Sequence, residues 1–174
     1  MEIFAEILKY TIPALIVFLT TWVLLRNWRK SADQARKHEF NMHMNDEILP
    51  VRLQAYERII LFLERISPDS ILLRINRPEY SSRQLQAELL STIRQEFEHN
   101  LAQQVYISTE AWEAVKTARN QTVKMINDAA EELKPQATGT TLSKLILEKV
   151  MELKNPPTQA AIDILKREVS ALFF

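Results

Sequence analysis

The chain has 174 residues, and its 22 basic side chains equal its 22 acidic ones, so bulk charge names no partner. It has no cysteine, which removes disulfides, iron–sulfur clusters and thiolate zinc sites. Its single glycine leaves no room for a dinucleotide-binding fingerprint, a phosphate loop or a nucleophile elbow, each of which needs glycines where the backbone turns sharply or touches a ligand.

Residues 7–25, from Ile7 to Leu25, read ILKYTIPALIVFLTTWVLL. As a helix at about 1.5 Å per residue this run is about 28 Å long, close to the hydrocarbon thickness of a bilayer. Lys9 near one end can lay its stem on apolar surface and reach headgroups, while Tyr10 on one side and Trp22 with Trp28 on the other suit the two interfaces. A cleaved signal would carry its positive charge before the apolar run, an in-plane helix would need a charged face, and a buried core helix is the remaining alternative. The basic residues Arg26, Arg29, Lys30, Arg36 and Lys37 follow the run. The positive-inside rule then places the N-terminus outside and the C-terminal bulk in the cytoplasm. The same basic strip offers charge to anionic lipid.

The strip continues without glycine or proline as a basic helical stalk, loosening near Asn45 and Asp46, and Leu49-Pro50 reads as a boundary. The expected organisation is therefore an anchor over residues 1–30, a stalk over 31–48 and a helical domain over 49–174. From Pro50 onward Leu53, Tyr56, Ile59, Ile60, Leu63 and Ile66 form one apolar stripe with the helical period. A short helix is predicted over residues 69–75. Ser81 and Gln84 have capping-box spacing ahead of Leu85, Leu89, Ile93, Phe97 and Leu101, with Leu90 and Val105 widening that face. Ser108 caps the next helix, whose Trp112, Val115, Ala118, Thr122, Ile126, Ala129 and Leu133 share one side. A loop around Gly139 leads to Leu142, Leu145, Ile146, Val150 and Leu153. After Pro156-Pro157, Thr158 caps a last helix carrying Ile162, Leu165, Val169 and Leu172. No stretch alternates with period two. The fold class is all-α, with an N-terminal transmembrane helix and stalk followed by an antiparallel helical bundle built on a long hairpin turning near residues 106–108.

The chemistry-bearing clusters are few. His38 and His43 are five apart, about 140° around a helix, whereas two imidazoles on one metal need a separation of four. Glu96-x-x-His99 matches half of a di-iron bundle motif, but the other histidines lie in the stalk and no second copy exists. Arg74, Arg77 and Tyr80 make a small basic and aromatic patch, yet beyond residue 37 the 16 basic and 19 acidic residues leave a net −3, which disfavours nucleic acid. The reading that remains is a polar network: Arg52, Glu57 and Arg58 on one helix, with Glu96, Glu98, His99, Asn100, Gln103 and Gln104 on another, forming interhelical ion pairs or lining a binding site.

The blocks LPVRLQAYER at residues 49–58 and EFEHNLAQQVYIS at 96–108, followed by Ala111-Trp112, resemble an uncharacterised Bacteroidetes family of small, single-pass, membrane-anchored helical proteins. The resemblance covers nearly the whole chain. It implies a bacterial inner-membrane setting and carries across no activity, cofactor or catalytic residue. The functional expectation is a non-enzymatic interaction or scaffold module on the cytoplasmic face. Its partners would be the bilayer and either another protein or a second copy, without cofactor, metal, nucleic acid or small-molecule substrate. The alternatives are an enzyme with a metal or small-molecule site at Glu96 and His99, and a domain that senses anionic lipid.

Overall fold

The computed structural model describes residues 18–22, 25–26, 47–134 and 136–173. By its contacts the chain divides into two units, Met1–Leu49 and Pro50–Phe174. In the first, residues 18–22, 25–26 and 47–49 are helical. Among the described residues no helix is long and apolar enough to cross a membrane. Most of the predicted span 7–25 lies outside them, as do Arg29, Lys30, Arg36 and Lys37. Residues 47–49 already have helical backbone, so Pro50 is not the first helical position. The preference of a pre-proline residue for extended angles is a bias that a neighbouring helix can override.

The second unit is all helical among the described residues. Helix α1 is the part of the 47–65 helix that belongs to this unit, residues 50–65. It is followed by α2 Pro68–Ile75, α3 Ser82–Asn100, a 3-10 segment Leu101–Val105, α4 Thr109–Glu131, α5 Gly139–Glu152 and α6 Pro157–Phe173. Each start has a local cause. Ser81 and Gln84 complete their capping box: the Ser81 hydroxyl accepts from the Gln84 N–H at 3.3 Å, and the Gln84 side chain accepts from the Ser81 N–H at 3.0 Å. Ser108 accepts from the Ala111 N–H at 3.0 Å, and Pro68 and Pro157 open α2 and α6, where a missing N–H costs nothing. Thr158 therefore sits inside α6, buried, and is not its cap.

Helix α4 is the central beam. It packs on α3 and α5 and most extensively on α6. Gln86 of α3 donates to Asn127 of α4 at 2.9 Å, while Phe97 stacks on Trp112 at the other end, 5.4 Å between centroids, so α3 and α4 form the expected antiparallel hairpin. The stripe Trp112, Val115, Ala118, Thr122, Ile126 and Ala129 is buried as its spacing predicts. It meets Leu85, Leu89 and Ile93 of α3, Leu142 and Ile146 of α5, and Ile162 and Leu165 of α6 in one core shared with Ile59, Leu63 and Ile66.

Two expectations change. Spacing extends the α3 stripe through Leu101 and Val105, yet both are exposed, Val105 at 77%. The Asn100 side chain donates to the Glu96 carbonyl at 2.8 Å, and the C-cap Leu101 N–H turns to the Glu98 carbonyl. The α-helix thereby tightens into a 3-10 turn, and the four-residue rhythm is lost. Gly139 is not in a loop but is the first residue of α5, with Thr138 as its cap. Its N–H donates to the Tyr80 carbonyl at 2.7 Å, Ser82 N–H donates to the Ala137 carbonyl at 2.9 Å, and Ser81 and Thr138 form an antiparallel bridge. A Cβ on Gly139 would lie 3.0 Å from that same Tyr80 carbonyl oxygen. The only glycine thus sits where two backbones meet.

Gly139→Ala is expected to lower unfolding free energy by about 1 kcal/mol, because the crowding outweighs the entropy gained by removing a glycine; denaturant titration at constant m-value checks this. Phe97→Ala, which removes the ring between Phe62 and Trp112, is expected to cost about 3 kcal/mol in the same measurement.

Candidate functional site

The polar residues singled out from the sequence divide between two separate clusters. In the first, Glu96 is the shared acceptor. Arg65 at the end of α1 pairs with it at 2.6 Å and Arg74 of α2 at 3.3 Å, while Arg74 also donates to the Arg65 carbonyl at 3.3 Å. The carboxylate, 17% exposed, therefore joins α1, α2 and α3 at one corner. Asn100 is buried and spends its amide on the Glu96 carbonyl. His99 and Glu98 are exposed, as are Glu57, Arg58 and Gln104, and Gln103 is half-buried. The expected pairing of Arg52, Glu57 and Arg58 with Glu96, Glu98 and His99 is not made among the described residues. Nor does any group of three or more His, Cys, Asp or Glu side chains among the described residues gather as a metal would require. Beside Glu96 the Phe97 ring carries the Arg119 guanidinium, 4.5 Å from its centroid, and Arg77 covers Tyr80 at 5.8 Å.

The second cluster has Glu168 of α6 at its centre. Its carboxylate accepts from the Tyr56 hydroxyl at 2.9 Å and from the Ser108 hydroxyl. Ser108 is also the α4 cap, so the charge rests where that helix end favours an anion. Arg52 donates to the Tyr106 carbonyl at 3.2 Å. Burial holds the Tyr56 phenol above its ordinary pKa of 10.0; the hydrogen bond to Glu168 and that group's charge push the same way, and Arg52 opposes them. Sequence spacing places Tyr56 in the apolar stripe and Ser108 at a cap but gives no role to Arg65 or Glu168. Their partners lie 31 and 112 positions away, beyond the reach of helical spacing.

Among the open grooves that flank the bundle, two border α5. One, about 370 Å³, runs between α2 and α5 and is lined by Asp69, Leu72, Leu73, Asn76, Ser143 and Leu147. The other, about 490 Å³, lies between α4, the end of α5 and the start of α6, where Lys124, Asp128 and Glu152 give it a mixed charged wall.

The fold and these surfaces define a small helical-bundle protein whose charged groups cross-link helices. The chain belongs to DUF7935, a family of unknown function whose model matches residues 2–172. No curated protein and no solved structure matches it.

The raised Tyr56 pKa sets a direction for stability against pH. The protonated phenol is the form the fold favours, so its contribution is complete below pH 10 and declines as pH rises above 10 through the folded value. Thermal melts of Tyr56→Phe are expected to show about 1.5 kcal/mol lower stability at neutral pH and a shallower loss above pH 10 than the parent.

Proposed function

We propose that the chain is a non-enzymatic, single-pass protein of the bacterial inner membrane whose cytoplasmic bundle holds another protein at the membrane by accepting an amphipathic helix. The apolar run 7–25, followed by five basic residues within a dozen positions, supports the anchor and its orientation. The observation that carries the interaction reading is the α2–α5 groove. Leu73 on its rim is 90% exposed and Leu147 stands on the other rim, with Leu72 as an apolar floor and Asp69 and Ser143 at the polar margin. A large aliphatic side chain held almost wholly in water on a short helix does nothing for the bundle's own core. Met151, one turn beyond Leu147 on α5, is 84% exposed and lengthens the apolar strip. Two parallel apolar rims with a groove between them accept the i, i+3, i+4 and i+7 anchors of an incoming helix. Membrane tethering raises the local concentration of such a module, so a weak groove suffices.

Crosslinking in native membranes is expected to recover the chain with a partner, and Leu73→Asp to reduce that species about tenfold, the effect of losing one anchor worth about 1.4 kcal/mol. The melting temperature of the variant should not change, because Leu73 touches solvent. Recovery of monomer alone, or equal crosslinking by the variant, contradicts the reading.

A further inference from the structure

One end of the bundle is built largely from stretches without charge and exposes several apolar side chains. The 3-10 segment and the turn after it, residues 100–109, carry no charged side chain, and neither do residues 169–173 at the end of α6. The two stretches meet there, since Glu168 is bonded to Ser108, and residues 50–52 join them, since Arg52 is bonded to the Tyr106 carbonyl. Val105 at 77% exposure, Phe173 at 54%, Val51, Leu101 and Tyr106 all present apolar surface at this end. Arg52 and Glu168, which tie these stretches together, are engaged by protein groups, and the exposed Glu110 and Arg167 border the clearing. No such clearing exists at the opposite end of α3, where Arg83 and Glu79 stand exposed. This apolar end is also the one at which the polypeptide enters the bundle, because α1 starts there. The exposed side chains are the kinds that settle at a membrane interface: aliphatics, a phenylalanine, and a tyrosine with its polar tip.

From this we infer that this end of the bundle rests in the interfacial layer of the bilayer, so that the domain sits on the membrane instead of standing off it. The inference depends on the anchor proposed above. The strip 26–37, with five basic residues and one acid, has a charge that suits anionic headgroups. The same chemistry explains why the 3-10 turn keeps Leu101 and Val105 out of the core: they are spent on an outer surface.

The absence of cysteine makes single-site labelling of the full chain direct. Val105→Cys, Arg83→Cys and Leu19→Cys, each carrying a polarity-sensitive fluorophore, would be reconstituted in phosphatidylcholine–phosphatidylglycerol vesicles with nitroxide lipids labelled near the headgroup or deep in the acyl chain. All three side chains lie on the protein's surface and outside its core, and circular dichroism verifies the helices. The expected result is a blue shift at position 105 with loss of emission to the shallow nitroxide, loss at position 19 to the deep one, and neither at position 83. If position 19 is quenched while 105 behaves like 83, the anchor stands and the docking inference falls. A blue shift at 105 without nitroxide quenching means that protein covers this end, which also overturns it. Failure at all three positions removes the anchor and the docking together.

Discussion

Helices α3, α5 and α6 are placed by the need to cover one side of α4, and α2 packs in turn on α3 and α5. That side is apolar but uneven: Trp112 is bulky at one end, while Ala111, Ala118 and Ala129 leave shallow places where a neighbouring helix can come close. Helix α6 lies along it most extensively and brings its own small residue, Ala161, into the core. Each fully buried leucine or isoleucine around this beam contributes roughly 1.5–3 kcal/mol, against a backbone-ordering cost of similar size for each residue fixed. Stability therefore rests on the stripe being covered along its full length. Leaving α6 undocked would expose its own Ala161, Ile162 and Leu165 together with the part of α4 that it covers.

Charges then decide how the covering helices are tied. Glu96 collects two arginines from α1 and α2, and Glu168 collects two hydroxyls from α1 and the start of α4. Both lie at corners where three segments converge, and pairs of this kind fix how elements sit more than they add net stability. A guanidinium fork suits the Glu96 corner because one carboxylate oxygen can accept from both arginines while their planar heads remain partly in water.

How much of this the amino-acid order announces depends on the range of the interaction. Caps at Ser81 and Ser108 and the buried faces of α1, α4 and α6 are set by neighbours within a few positions, so periodicity and cap chemistry find them. The end of α3 escapes because the four-residue spacing of Phe97, Leu101 and Val105 is ideal for a helix, and nothing local says that the Asn100 amide will take a ladder carbonyl. Thr158 looks like a cap because threonine favours that position, whereas the proline before it already has the angles of a first helical residue. Among the polar residues, Glu96 stands out in the sequence but its pairing with Arg65 and Arg74 does not. Helical spacing reports which groups share a face, and it is silent on which distant helix will meet that face. The grooves are equally invisible, since Leu73 and Met151 look like core residues until no helix among the described residues is found to cover them.

The bridge between Ser81 and Thr138 has a consequence for how the fold tolerates change in length. It joins the first turns of α3 and α5 side by side, with Gly139 allowing the backbones to touch, so both helices begin at a common fixed point. Additional residues in the exposed turn before Ala137 leave that point undisturbed. One residue inserted just after it, by contrast, rotates everything downstream in α5 by about 100° and carries Leu142 and Ile146 out of the interior. Growth and shrinkage of this molecule are thereby channelled into the far side of a single turn.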